Sequence, residues 1–168
     1  SVRFSDYELI PFVAMDSVPI GYPYFSRYEM RPSSEITTGT YFERGDLLIA
    51  KITPSFENGK QGIVVDLPTP FGVATTEVIP VRGIPGVSDT LFLFYYLLSR
   101  RVRSELAGRM EGTTGRQRLA KSSLESWSLL LPPLEEQQAI AHALLAVQKA
   151  MEARNRELAL ERERKSAL

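Results

Sequence analysis

The chain has 168 residues, no cysteine, one histidine (His142) and a formal net charge of zero. The lack of cysteine excludes disulfides and thiolate metal sites, and a single histidine leaves little for a zinc site or a histidine-based catalytic pair. An apolar content of 43% and a charged content of 24% are typical of a soluble globular domain, and no apolar run approaches the length that crosses a bilayer.

The first ninety residues predict short strands separated by turns. Residues 16–44 contain few apolar runs and predict a long ordered loop. Runs rich in apolar and β-branched residues, each bounded by Gly, Pro or Ser, are typical of strands. These runs occupy residues 8–15, 45–52, 62–67 and 75–81.

Helical spacing of apolar residues predicts a half-buried helix from about Thr90 to Ala107. Ser88 or Asp89 can cap its start, and Gly108 is placed to end it. A loop rich in glycine, threonine and arginine follows over residues 109–118, and "SWSLLL" at 126–131 predicts a short strand.

The net charge of zero hides a basic segment. Residues 91–121 carry seven basic and two acidic side chains, a balance of +5, whereas residues 1–90 carry seven and eleven (−4) and residues 122–168 carry six and seven (−1). A concentrated basic segment produces a local field that attracts a polyanion. The alternative is that the arginines at 100–103 lie near a helix C-terminus, where positive charge is favoured. That alternative does not explain why the loop continues the same sign.

A second, long helix is predicted after Pro132 and Pro133, over residues 134–166. Acidic residues fill its first turn and no Pro or Gly follows. At 1.5 Å per residue it would be a rod of roughly 50 Å, too long for the preceding domain to cover. Its apolar stripe implies a second helix from another copy or another protein, the alternative being a helix folded back on its own domain with a frayed polar end. The stripe consists of Ile140, Leu144, Val147, Met151 and Leu158.

Four segments resemble, in order and spacing, the DNA-specificity subunits of type I restriction–modification systems. They are "GDLLIAKITPSFENGKQGIVV" (45–65), "FGVATTEVIPVR" (71–82), "MEGTTGRQRL" (110–119) and "LLLPPLEEQQAIAHAL" (129–144). The resemblance covers roughly residues 8–155, and "LPPLEEQ" is its most specific element.

The resemblance implies an α/β protein with α+β character. A compact target recognition domain with a short β-sheet (1–131) would be followed by a long spacer helix (132–168) that pairs in an antiparallel coiled coil. Such a subunit is not catalytic. It binds one half of a bipartite sequence in double-stranded DNA, and it scaffolds methyltransferase (modification) subunits and a restriction/translocase subunit in the prokaryotic cytoplasm. No cofactor is expected in this chain, whereas S-adenosylmethionine, ATP and magnesium are expected on the partner subunits.

The usual subunit of this family has two recognition domains and two helices in one chain of more than twice this length. This sequence has one of each, which implies a half-subunit, natural or excised. We expect two copies to pair through their C-terminal helices as a homodimer, so that the target is an interrupted palindrome.

Two segments carry side chains suited to base edges in the major groove, where all four base pairs differ. Their plainer alternatives are a polar hairpin turn and a helix-terminating loop. Upstream of them, the arginines at 100, 101, 103 and 109 are expected to hold phosphates without sequence information, so that Arg103→Ala would weaken binding to all sequences alike. The base-edge candidates are Lys51, Thr53, Ser55, Asn58, Lys60 and Gln61 in one segment, and Thr113, Thr114, Arg116, Gln117 and Arg118 in the other.

Two rival functions remain open from the sequence. One is a helix-mediated protein-interaction adaptor without DNA specificity, against which the basic Thr/Arg loop argues. The other is a small enzyme such as a nuclease, for which the sequence offers no glycine-rich phosphate motif, metal cluster or nucleophile–base pair.

Overall fold

The computed structural model describes residues 3–113 and 115–166. Its strands are β1 (Leu9–Val13), β2 (Tyr24–Phe25), β3 (Glu29–Pro32), β4 (Thr40–Glu43), β5 (Leu47–Ala50), β6 (Gln61–Val64), β7 (Phe71–Ala74), β8 (Val78–Val81), β9 (Glu111–Thr113) and β10 (Arg116–Arg118). Its α-helices are α1 (Thr90–Leu98), α2 (Arg100–Ala107), α3 (Lys121–Glu125) and α4 (Leu134–Ser166). The predicted mixed α/β class is confirmed.

Two four-stranded sheets form the body of the protein. The first has the order β3–β1–β7–β4, in which β1 and β7 are parallel and the outer pairs are antiparallel. The second has the order β2–β6–β5–β8, in which β5 is antiparallel to both neighbours and β2 is parallel to β6. Strands β9 and β10 form a separate antiparallel hairpin.

Strand β5 is one of the two inner strands of the second sheet, and it is buried on both faces. All four of its residues are inaccessible to solvent. Leu48 packs in a cluster with Val13 and Phe42 of the first sheet. Leu47 and Ile49 point the other way, into a cluster with α1, α2 and the start of α4. This alternation follows from the two-residue period of a strand. The second sheet therefore lies between the first sheet and the helices.

Asp46 fixes the turn between β4 and β5. Its side chain is only 4% exposed, and its carboxylate accepts hydrogen bonds from Arg82 (Nε–Oδ1 2.6 Å, Nη2–Oδ2 3.0 Å) and from the Glu43 backbone N–H (2.8 Å). The carboxylates of Asp46 and Glu43 both face the guanidinium, and this raises the pKa of Arg82. The contacts join the first sheet to the second at this turn.

The predicted helix at 90–107 is two helices. Asp89 caps α1, since its Oδ1 accepts a hydrogen bond from the Phe92 N–H (2.8 Å). The chain then breaks at Ser99, which has extended-type backbone angles (φ −57°, ψ 138°), and α2 starts at Arg100. The arginines at 100 and 101 therefore lie in the first turn of a helix, so the alternative that placed them near a C-terminus is wrong.

Helix α4 has the predicted extent, and its first turns are anchored to the body. Gln137 is fully buried and Ala141 is 1% exposed. The Gln137 amide donates to the carbonyls of Val87 (2.9 Å) and Pro132 (2.8 Å), and its oxygen accepts from the Asp89 N–H (3.0 Å). The division into domains at residues 131 and 132 stays a prediction.

Three other expectations were wrong. Residues 16–44 contain β2, β3 and β4, which are strands of two to four residues, all of them at least partly exposed except the buried Phe42. The strand predicted at 75–81 begins only at Val78, and a separate buried strand, β7, precedes it. Residues 126–131 pair with no strand in the described part of the chain; Leu129 and Leu131 instead pack against the core from an extended segment.

Candidate nucleic-acid interface

The glycine-rich stretch after α2 forms an exposed β-hairpin, not an irregular loop. Arg116 pairs with Thr113, Gln117 with Gly112, and Arg118 with Glu111. Gly112 has φ +130°, and a Cβ at this position would lie 2.5 Å from the Arg116 carbonyl oxygen. The close approach of the two strands therefore requires glycine at this position. Thr113 is exposed, whereas Thr114 lies outside the described residues.

The hairpin is anchored to the segment that follows β5. The Thr53 N–H donates to the Gln117 carbonyl (3.0 Å), and the Leu119 N–H donates to the Lys51 carbonyl (2.7 Å). Ile52 forms an isolated bridge with Arg118. The structure thus brings the two predicted recognition segments together, although 51 residues (62–112) separate them in sequence.

Arg118 is held by an ion pair at the base of the hairpin. Its guanidinium donates to both carboxylate oxygens of Glu77 (Nη2–Oε1 2.8 Å, Nε–Oε2 3.1 Å). The hydrogen bonds from Arg118 lower the pKa of Glu77, and the same contact raises the pKa of Arg118. Because the Nε–Nη2 edge of its guanidinium is occupied by a carboxylate, Arg118 is placed to orient the hairpin more than to contact a base.

Arg116 has a different environment. Its side chain is exposed, and it makes no ion pair with any residue in the described ranges. It lines a cavity of about 320 Å³ between the hairpin and the strand end, together with Thr53 and Gln117. A free guanidinium beside an amide and a hydroxyl is the donor and acceptor set that base edges in the major groove require.

The remaining residues of the 51–60 segment do not all face this cavity. Lys51, Ser55 and Lys60 are half-buried and Asn58 is exposed. The Thr53 hydroxyl donates to Glu57 Oε1 (2.9 Å). Lys60 forms a bridge with Ile20, and the Lys60 carbonyl accepts from the Ala50 N–H (3.0 Å). Of the predicted recognition residues in this segment, Thr53 is therefore the one that lines the cavity beside the hairpin.

Two predicted contact residues are interior, and the prediction is corrected for both. Gln61 is fully buried, and its amide donates to the Phe94 carbonyl (2.7 Å). Arg103 is 6% exposed, donates to the Gln61 side-chain oxygen and lies over the Phe56 ring, with Cζ 4.4 Å from the centroid. Burial lowers the pKa of Arg103 to about 10. Both side chains lie within the body because Arg103 is on the face of α2 that turns towards Gln61 and Phe56.

The other arginines expected to hold phosphates are exposed. Arg101 pairs with Glu105 one turn along α2 (2.9 Å). The guanidinium of Arg109 lies over the Trp127 ring, 4.8 Å from its centroid, in a groove of about 540 Å³. Arg100 makes no ion pair within the described residues. Arg100, Arg109 and Arg116 are therefore the exposed cations of the basic segment that make no ion pair with a described residue.

Sequence patterns did not show the helix break that exposes Arg100. The one available signal is the change at Ser99 from an apolar, aromatic run to "RRVR". Serine is a common residue at the start of a helix, so a second helix start could have been considered at this position.

Helix α4 has two distinct faces. Ala141 and Leu145 pack on the core, and Gln148 hydrogen-bonds the Tyr95 hydroxyl (3.0 Å). The predicted stripe lies about 100° away around the helix. Its members are Ile140 (37% exposed), Leu144 (42%), Val147 (58%), Met151 (62%) and the half-buried Leu158.

Within the described ranges no three His, Asp or Glu side chains cluster as metal ligands would. A search of the same residues finds no helix long and apolar enough to cross a membrane.

Comparison with known proteins gives consistent matches. A model of the type I restriction modification DNA specificity domain matches residues 14–162. The chain is 30% identical over 136 residues to the type I restriction enzyme EcoAI specificity subunit of Escherichia coli, and 32% identical over 133 residues to the EcoEI specificity subunit of the same organism. These matches cover 80% and 79% of this chain but 23% and 22% of the relatives, so the chain spans less than a quarter of their length.

Solved structures show the same fold at lower identity. The HsdS subunit from Thermoanaerobacter tengcongensis superposes with a TM-score of 0.71 at 17% identity, over 88% of this chain and 38% of that one. A chain from a structure of complex assembly and conformational transition of the type I R-M system gives 0.66 at 21% identity, over 95% of this chain and 37% of that one. The family match over most of the chain carries the assignment: this chain belongs to the type I restriction modification DNA specificity domain family.

Proposed function

We propose that this chain binds one half of a bipartite target in double-stranded DNA, and that the exposed hairpin of β9 and β10 makes the base contacts. The single observation that carries the proposal is the position of Arg116. It is an exposed arginine without a carboxylate partner in the described chain, beside Gln117 and Thr53, on a hairpin that is tied to the body at its base. A two-stranded β-ribbon fits the major groove.

The chemistry of the hairpin supports sequence discrimination. An arginine fork can donate two hydrogen bonds to O6 and N7 of guanine, and glutamine can pair with adenine in the same bidentate way. Arg118 is occupied by Glu77, so it would hold the ribbon at a fixed angle while Arg116 and Gln117 approach the bases. Fixing the hairpin before binding reduces the entropy lost on association.

The long helix would set the distance between two such domains. The exposed stripe on α4 lies beside Tyr22 and Tyr95 along a groove of about 440 Å³. An apolar helix face of this kind, with 3–4 spacing, is suited to a second helix. We infer that two copies of this chain pair antiparallel through α4 and place their hairpins on two half-sites. The assembly would scaffold the methyltransferase and restriction/translocase subunits.

The proposal assigns no chemical step to this chain. S-adenosylmethionine, ATP and magnesium would act on the partner subunits, and this chain would supply the DNA contacts and the spacing. Incubation of the pure chain with DNA and magnesium should therefore leave the DNA uncut.

Selection of bound duplexes from a random pool tests the function. At about 150 mM salt we expect an enriched motif, with two mirrored halves if the chain pairs with itself. A bound fraction that is no different in sequence from the input pool would contradict sequence-specific recognition, and it would favour the adaptor function instead.

A further inference from the structure

The break at Ser99 creates a helix start with an unusual charge. The first turn of α2 contains no acidic residue, and the start has no side-chain cap, because the Ser99 hydroxyl donates to the Tyr96 carbonyl. The N-terminus of a helix carries partial positive charge and favours anions. Here it carries Arg100 and Arg101, with Arg103 two residues further along. This arrangement raises the local positive charge instead of neutralising it.

Arg103 is a second, independent observation that points to an anionic ligand. Its side chain is 94% buried, and its Nε and Nη1 atoms have no hydrogen-bond acceptor among the described residues. Its contacts are the Gln61 side-chain oxygen and the face of the Phe56 ring, neither of which carries a negative charge. Buried charges are normally paired, because taking an ion out of water costs a large free energy.

A cavity of about 240 Å³ adjoins both features. It is several times the roughly 30 Å³ that one water molecule occupies in the liquid, which leaves room for a phosphate group. Its only acidic side chain is Glu57, whose Oε1 already accepts a hydrogen bond from Thr53. The two arginines and one glutamate that line it give the cavity a net formal charge of +1. The lining residues are Glu57, Asn58, Gly59, Leu98, Arg100, Arg103 and Ser104.

We propose that this cavity is a phosphate-binding site, in which Arg100, Ser104 and Asn58 hold a phosphate group that also compensates the buried charge of Arg103. In the functional complex the phosphate is a phosphodiester of the bound duplex, and this part of the inference rests on the proposed function. Residues 53–59 form one turn that reaches from the hairpin cavity to this one. In the proposed complex, the backbone of a duplex on the hairpin would continue along this turn to the start of α2. A free phosphate ion is the other source of the same chemistry.

The first test measures the thermal midpoint of the full chain in sodium phosphate and in sodium chloride, at equal ionic strength and pH. Because phosphate also stabilises proteins in general, the informative quantity is the difference between variants. Arg100→Ala and Ser104→Ala should each need about tenfold more phosphate for the same shift, as expected for one lost charge-assisted hydrogen bond. Arg164→Ala, in the last turn of α4, should respond like the unchanged protein. Equal responses from all three variants would overturn the site.

The second test uses the duplex selected above and identifies the source of the phosphate. Arg100→Ala should weaken binding to all duplexes alike and reduce the slope of log K against log salt by about one. A lost phosphate response with an unchanged salt slope would support a free-ion site and overturn the DNA contact. If the salt slope and phosphate response are both unchanged but Arg116→Ala still relaxes base preference, the cavity proposal fails and the proposed function stands. If no duplex binds but Arg100→Ala and Ser104→Ala still need more phosphate than the unchanged protein, the proposed function fails and the anion site stands.

Discussion

Gln137, the last residue of the "LPPLEEQ" motif, should be the residue that fixes the angle at which the long helix leaves the body. It is fully buried and makes three hydrogen bonds, to the Asp89 N–H and to the carbonyls of Val87 and Pro132. The partner at Asp89 is also the residue that caps α1. One side chain therefore connects the first turn of α4, the loop before α1 and the segment that precedes α4.

The structure gives a magnitude for its removal. Each of the three hydrogen bonds contributes about 0.5–1.5 kcal/mol net to the free energy of unfolding. A buried donor or acceptor that loses its partner and is not hydrated costs more than this. Val87 is exposed, so its carbonyl can be hydrated, whereas Asp89 is half-buried. We expect Gln137→Ala to lower the free energy of unfolding by about 2–4 kcal/mol, with the truncated side chain leaving a small void.

Urea denaturation measures this change directly. Gln138→Ala is the matched control, because the neighbouring glutamine is exposed and makes no side-chain hydrogen bond to a described residue. It should change stability by less than about 0.5 kcal/mol. A loss below about 1 kcal/mol for Gln137→Ala, or equal losses for the two variants, would refute the view that this side chain anchors the helix.

Three further predictions concern the body, the hairpin and the helix. Asp46→Ala should cost about 2–3 kcal/mol in urea denaturation, because it leaves a half-exposed arginine and a backbone N–H without their buried partner; a change below about 0.5 kcal/mol would contradict this. The Glu77 carboxyl has a lowered pKa in the folded state, so its contribution is fully present above its ordinary value of 4.5 and is lost as the pH falls through the folded-state value. The stability difference between the unchanged protein and Arg118→Gln should therefore be constant from pH 8 to about 5.5 and should shrink below pH 4.5; a difference as large at pH 3 as at pH 8 would contradict the ion pair. Val147→Glu should abolish self-association in sedimentation experiments at high micromolar concentration, whereas Ala146→Glu, on a face away from both the stripe and the body, should not; a strictly monomeric unchanged chain would contradict helix pairing.

Sequence patterns predicted the long helix α4 well and the short strands poorly, and each outcome has a physical reason. Helix α4 has thirty-three residues without proline or glycine, so its local preferences all agree. β2, β3 and β4 have only two to four residues each, too few to show a regular alternation of apolar and polar side chains, and their pairing depends on partners distant in the chain. The hairpin resembled a loop because "EGT" and "RQR" lack the apolar alternation by which strands are predicted.

The sequence indicated candidate residues for the site, but it did not indicate which role each residue has. Helical spacing alone does not show that Arg103 faces inward while Arg100 faces out, because the break at Ser99 resets the orientation of the helix. The partner of Arg118 is Glu77, 41 residues earlier, and only the fold places the two together. Arg116 and Arg118 therefore look equivalent in the sequence, but the structure leaves one of them free and commits the other to an ion pair.

The most direct test of base recognition by the hairpin is the affinity for variants of the selected duplex that each carry one changed base pair. Each position of the half-site is substituted in turn, and affinities are compared for the unchanged protein, Arg116→Ala and Arg100→Ala. Arg116→Ala should lose about 1–3 kcal/mol of discrimination at one or two positions and keep its preference elsewhere, whereas Arg100→Ala should weaken every duplex by the same factor. If Arg116→Ala instead weakens all duplexes equally and leaves every base preference intact, the hairpin does not make the specific contacts.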